Sequence, residues 1–141
     1  MDIQAVIYSR LVGDPFVTST LAEFNGGPAV FATATPEDIA LGEQPILIID
    51  AASSDTSPDT ASEDYRQSSS ILRLYSKPGG SESLLIAAAE AVRKSLKDWA
   101  PGAVNGGVFV GASVNGPTPA PTDGPDERGR LIILDTLIKE T

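Results

Sequence analysis

Ser70-Ile71-Leu72-Arg73-Leu74-Tyr75-Ser76-Lys77-Pro78-Gly79-Gly80-Ser81, continuing to Trp99, is the stretch that decides the fold. Ser70 to Ser76 alternates as a strand does, with Leu72 and Leu74 on one face and Ile71, Arg73 and Tyr75 on the other. Pro78 and the Gly79-Gly80 pair stop the strand, and the Ser81 hydroxyl is placed to cap a helix. From Ser81 to Trp99, the residues Leu84, Leu85, Ala88, Ala89, Val92, Leu96 and Trp99 share one arc of about 140°. Glu82, Glu90, Arg93, Lys94, Lys97 and Asp98 take the other side, with Glu90 spaced for an i,i+4 pair with Lys94. A helix of this pattern lies across a sheet. Ile86 falls among Glu82, Arg93 and Lys97, where it is either a lone exposed apolar residue or a protein contact.

Upstream, Asp2 can cap a first helix with an Ile3, Val6, Ile7, Leu11 stripe, ended by Gly13-Asp14-Pro15. Arg10 falls inside that stripe. It either snorkels from the helix edge or pairs with an acid of a neighbouring subunit. Phe16 to Phe24 predicts a second short helix with Phe16, Leu21 and Phe24 inward, broken by Asn25-Gly26-Gly27-Pro28. A short strand over Ala29 to Thr33 and a turn region over Pro36 to Gly42 follow. Pro45 then introduces Ile46-Leu47-Ile48-Ile49-Asp50, a nearly continuous apolar run that fits a central strand covered on both faces.

Ala51 to Gln67 has the acidic, Ser/Thr-rich composition of a mobile segment. Folded back as a hairpin arm, it would reach about 25 Å from the body at strand rise. Such an arm passes beyond its own subunit, so Asp55, Asp59, Glu63 and Asp64 are candidates for touching a partner; the alternative is a surface loop. After Trp99, a strand is predicted within Ala103 to Val114, a long loop over Asn115 to Arg130, and a last strand over Leu131 to Ile138. The fold class is α+β: a single domain over residues 1–141 whose mainly antiparallel or mixed sheet is packed by an N-terminal helix and a long central helix.

At 141 residues the chain supports one core, with an expected radius of gyration of about 14 Å. No apolar run approaches the roughly 20 residues of a membrane helix, and the N-terminus lacks a signal-peptide pattern, so no membrane role and synthesis in a cytoplasm are expected. There is no Cys and no His, which removes disulfides, Cys/His zinc sites and the commonest general base. Net charge is −9 and unevenly placed. Leu11 to Tyr65 contains no Lys or Arg and carries −10, leaving 9 acids against 10 bases elsewhere. Tight binding to nucleic acid through a basic patch is therefore not expected, whereas an acidic wall past which DNA slides is compatible.

No phosphate-binding glycine motif occurs, and no S-x-x-K. Asp55-Thr56-Ser57 lacks the glycine of an aspartic-protease motif, and Asp123, Asp126 and Glu127 lack EF-hand spacing. No catalytic residue, cofactor or metal ligand is marked.

The chain does resemble a known family, the small tail terminator (tail completion) proteins of long-tailed phages and phage-like gene transfer agents. The resemblance runs through nearly the whole chain in order. It begins with the amphipathic Ile3-Gln4-Ala5-Val6-Ile7-Tyr8-Ser9-Arg10-Leu11, the short Ala29-Val30-Phe31 and the Pro-led Pro45 to Asp50. It continues through the polar segment, Leu74-Tyr75-Ser76-Lys77, the Gly79-Gly80-Ser81 turn and the Ala-rich Leu84 to Leu96. An acidic-plus-Arg stretch, Asp123 to Arg130, precedes the apolar final strand. The 51–67 and 115–130 segments are longer and richer in Pro and Ser than the family pattern.

The resemblance implies a non-enzymatic virion protein at the tail–neck junction, made in the bacterial host. Copies would form a ring, a homo-hexamer, on the head-proximal end of the tail tube. The ring would stop tube-protein polymerisation and meet the head–tail connector, while DNA passes through its lumen without specific binding. A polar arm of one subunit would lie on the next and add to its sheet. Arg73 and Lys77 are then candidates for ion pairs with a neighbour, and Arg10, Ile86, Arg128 and Arg130 for further contacts. Two alternatives stay open: a head–tail connector or stopper ring, and a small hydrolase or binding domain.

Overall fold

A computed structural model describes residues 3–33, 35, 40–50, 53–56, 65–77, 81–97, 99, 103–104, 107–119 and 128–140. Helices α1 (Ile3–Val12) and α2 (Pro15–Thr18) lead into β1 (Glu23–Phe24) and β2 (Gly27–Pro28). Strands β3 (Val30–Ala32), β4 (Ile46–Ile49), β5 (Ser53–Thr56) and β6 (Tyr65–Ser76) precede α3 (Glu82–Leu96). Strands β7 (Ala103–Val104), β8 (Gly107–Pro119) and β9 (Arg128–Glu140) complete the order. The main sheet runs β3-β4-β6-β9-β8-β7, with β5 also paired to β6. β3 is parallel to β4, and the other pairs are antiparallel. The domain is α+β, with a mixed, mainly antiparallel sheet packed by the N-terminal and the long central helix.

Period decides which residues meet. Ile3, Ile7 and Leu11 recur every fourth residue on α1, and Leu85, Ala88, Ala89, Val92 and Leu96 line one stripe of α3. Both stripes bury against alternate strand residues: Leu47 and Ile49, Leu72 and Leu74, Ile132 and Leu134. Each large side chain buried here stabilises by about 1.5–3 kcal/mol relative to exposure. β4 is buried throughout because both its faces are covered. Leu47 and Ile49 join the helices, while Ile46 and Ile48 join Ala29 in a second cluster against Ala22, Phe24, Phe31, Leu41 and Tyr75. Phe24 and Phe31 meet edge to face at 5.4 Å.

Ser81 caps α3, its hydroxyl accepting from the Leu84 N–H, with Glu82 in the first turn and Arg93 and Lys94 in the last, as the helix dipole favours. The Asp14 carboxylate caps α2 by accepting from the Phe16 N–H at 3.0 Å.

Several expectations are corrected. The second helix stops at Thr18, because Val17, Thr18 and Thr20 are β-branched, and the Thr20 hydroxyl donates back to the Val17 carbonyl at 2.6 Å. Asn25 and Gly26 turn a hairpin between β1 and β2; both have positive φ, 51° and 82°, as a two-residue hairpin turn requires. Phe16 is 80% exposed rather than inward. Leu84 is 38% exposed, since the buried stripe centres on Leu85, Ala88 and Val92. Glu90 pairs with Arg93 at 3.0 Å, one residue short of Lys94. The expected 115–130 loop is strand at both ends, 115–119 in β8 and 128–130 in β9, because β8 continues pairing past two register shifts. The 51–67 arm is likewise partly strand, with Ser53–Thr56 paired to β6. Asp2, Pro78 to Gly80, and Asp123 to Glu127 lie outside the described residues, as does most of Pro36 to Gly42.

Candidate assembly surface

β6, β8 and β9 are 12, 13 and 13 residues long, or about 40 Å at strand rise, and the sheet face away from α1 and α3 is unevenly covered. The second cluster covers it at β3 and β4. Farther across, Ile71, Leu131, Ile133 and Leu137 stay partly or largely exposed. A polar patch interrupts them. Asp135 of β9 accepts hydrogen bonds from the hydroxyl of Ser69 on β6 and from Asn115 Nδ2 of β8, the latter at 3.2 Å. Three adjacent strands are thus tied at one carboxylate. A shallow cavity of about 580 Å³ opens here, lined by Gln67, Ser69, Ala112, Ser113, Asp135, Thr136 and Leu137. This patch is not legible in the sequence, where Asn115 reads as loop and the one signal is an Asp inside the apolar Leu131 to Ile138 run.

Three of the predicted basic residues, Arg73, Lys77 and Arg130, find acids within their own chain. Arg73 Nη2 lies 2.7 Å from Asp50 Oδ1 and 3.4 Å from the Thr33 carbonyl, and its guanidinium stands 5.9 Å from the Tyr75 ring centroid. The hydrogen bond to Asp50 raises the already high pKa of this guanidinium. Lys77 pairs with Glu43 at 2.9 Å. Lys77, joined by the Ser81 N–H, holds the Glu43 carboxyl below the usual glutamate range. Arg130 reaches from β9 to Glu82 at 2.8 Å, tying the last strand to the start of α3. Arg10 Nε donates to the Ser95 carbonyl at 3.0 Å, joining α1 to α3.

Arg10 also lines a groove of about 640 Å³ between the N-terminal helices and α3, with Asp14, Phe16, Ala87, Glu90, Ala91, Lys94 and Ser95. Ile86 stands 45% exposed on α3. Asp55 sits in β5 opposite Gln67, and Arg128 in β9 opposite Ser76. Asp59, Glu63 and Asp64 lie outside the described residues. Among the described residues, the candidates therefore do not converge on one centre. They are spread over the open sheet face, the β5 edge and the exposed side of α3. Among the described residues no group of three or more His, Cys, Asp or Glu is gathered to hold a metal ion, and no helix is long and apolar enough to cross a membrane.

No family model matches the chain, and no curated protein matches it. Among solved structures, it matches a chain from the virion of a native gene transfer agent particle, with a TM-score of 0.69. It has the fold of a virion chain. The match covers 98% of this protein and 95% of the particle chain, so the likeness spans the whole architecture of both. Sequence identity over it is 19%.

Proposed function

We propose that this protein is a tail terminator, a non-enzymatic structural protein of a phage or gene transfer agent virion. Copies form a ring, a hexamer, on the head-proximal end of the tail tube, end tube polymerisation and present a surface to the head–tail connector. The observation that carries this reading is the likeness to a gene transfer agent virion chain over nearly the full length of both. The resemblance of the sequence pattern to tail terminators narrows the role within the virion.

Physical arguments support a ring. A domain of this size, with a radius of gyration of about 14 Å, cannot encircle a duplex, whereas copies joined head to tail can. A net charge of −9 disfavours tight contact with phosphates, so DNA crosses the lumen without being held. The long open sheet face and the Arg10–Phe16 groove on α3 supply surfaces for neighbouring copies, tube protein and connector.

Deleting the gene from its parent phage or element and measuring tail lengths by negative-stain electron microscopy tests the proposal. Overlong tubes of variable length, unattached to filled heads, are expected. Normal-length tails beside leaking or empty heads would instead assign the protein to the connector. Intact, infectious particles would overturn both virion roles.

A further inference from the structure

The sheet holds two open edges at one level. Ser53, Ser69, Asp135 and Ser113 share a rung across β5, β6, β9 and β8. Ser54, Ser68, Thr136 and Ala112 share the next, and Asp55, Gln67, Leu137 and Gly111 the one after. Among the described residues, no strand lies on the outer side of β5, and none pairs with the outer side of β8 beyond Val108, where β7 stops. Such an edge presents a row of backbone donors and acceptors for another strand.

The β8 edge is trimmed to a short window. Register shifts fall between Phe109 and Gly111 and between Asn115 and Thr118, and Pro117 and Pro119 carry no N–H. Gly111 to Asn115 remains regular. β5, at four residues, fits that window. The window Gly111-Ala112-Ser113-Val114-Asn115 is uncharged, so the one acid of β5, Asp55, meets no like charge there.

Direction is also complementary. β5 is antiparallel to β6, β6 to β9, and β9 to β8, so β5 and β8 point in opposite senses. Copies related by rotation about a ring axis keep one orientation, and β5 of one then meets β8 of the next as an antiparallel pair. Because both edges occupy the same rungs, the next copy joins at the same height. That is the condition for a closed ring, whereas a step in height builds a filament.

We infer that β5 of each copy adds to the β8 edge of its neighbour between Gly111 and Asn115, and that this head-to-tail strand pairing closes the ring. The inference rests on the ring assembly proposed above. Pairing of β8 with a second β8 would close a dimer and leave every β5 edge bare; the head-to-tail pairing uses both.

The chain contains no cysteine, which makes a disulfide scan clean. Double variants combine a cysteine at one of positions 53–56 with a cysteine at one of positions 111–115, Ser53→Cys with Ser113→Cys for example. At equal height the facing pairs are Ser53 with Ser113 and Ser54 with Ala112, one rung each. The variants replace the native protein in the parent element, and assembled particles are oxidised. Facing residues of an antiparallel pair are about 4.5–5.5 Å apart at Cα, inside disulfide range. Normal tails under reducing conditions establish that each variant folds and assembles. The expected result is loss of the monomer band into a ladder ending at the full ring, for pairs whose residue numbers have a constant sum, as antiparallel pairing dictates. Dimers alone from the single Ser113→Cys variant would overturn the inference in favour of β8 self-pairing. Uncross-linked chain in particles that still carry it as a ring would overturn the edge pairing and leave the ring standing. Absence of the chain from particles would overturn both.

Discussion

Asp50 and Arg73 are joined by a 2.7 Å ion pair across neighbouring strands, at the point where the covered part of the sheet face gives way to the open part. Asp50 follows β4, and its N–H also donates to the Ile71 carbonyl of β6, so backbone and side chain both fasten β4 to the central strand. The two side chains are 30% and 27% exposed, which limits the pair's stabilising effect. Asp50→Asn is expected to lower stability by about 0.5–1 kcal/mol, read by urea denaturation. A loss above about 3 kcal/mol would mean the pair acts as a buried one.

Glu43 supplies a pH dependence. Its folded pKa is lowered, chiefly by the hydrogen bond from Lys77. A lowered folded pKa contributes stability that is present above the unfolded value and lost as pH falls through the folded one. The melting temperature of Glu43→Gln should therefore sit slightly below that of the native chain near neutrality. The gap should close below about pH 4, the ordinary glutamate range. A gap that widens in acid would contradict the ion pair.

Asp135 ties three strands, so its loss removes one acceptor from each of two partners. Asp135→Ala removes the acceptor for both Ser69 and Asn115 and is expected to cost about 1–2 kcal/mol. Asp135→Asn retains an acceptor oxygen and should cost less. Equal costs for the two variants would show that the charge, not hydrogen bonding, holds the patch.

Gly116 has φ of +107°, and a Cβ there would lie 2.7 Å from the Leu131 carbonyl oxygen. Neither strain nor clash can relax without moving β9. Gly116→Ala is expected to destabilise by about 1–3 kcal/mol, measured by thermal or urea unfolding. Gly26→Ala has open space around its Cβ, although φ is +82°, and should cost less.

Leu85 and Phe16 separate packing from surface. Leu85 is fully buried beneath α3, and Leu85→Ala should cost about 2–5 kcal/mol. Phe16→Ala should change stability of the isolated chain by less than about 0.5 kcal/mol, since the ring is largely exposed. Reduced incorporation of a stably folded Phe16→Ala variant into particles would mark the groove as a contact.

Sequence alone determined the central strand, the capped helix after it and the doubly covered β4, because each is written in local terms. Period 2 in Ser70 to Ser76, a hydroxyl at Ser81 before an apolar stripe, and an unbroken Ile46 to Ile49 run are consequences of backbone geometry acting on neighbours in the chain. Local rules failed where partners are distant in sequence. Asn115 to Pro119 looks like loop because Gly and Pro dominate it, yet pairing with β9 holds it as strand across a register shift. The acids Asp50, Glu43 and Glu82 carry no mark of which base each will meet, and Asp135 none of its link to Ser69 and Asn115. Only the tertiary structure decided those contacts, and with them the rung-for-rung alignment of the β5 and β8 edges, because strand register is a long-range relation that the side-chain pattern of a single segment does not encode.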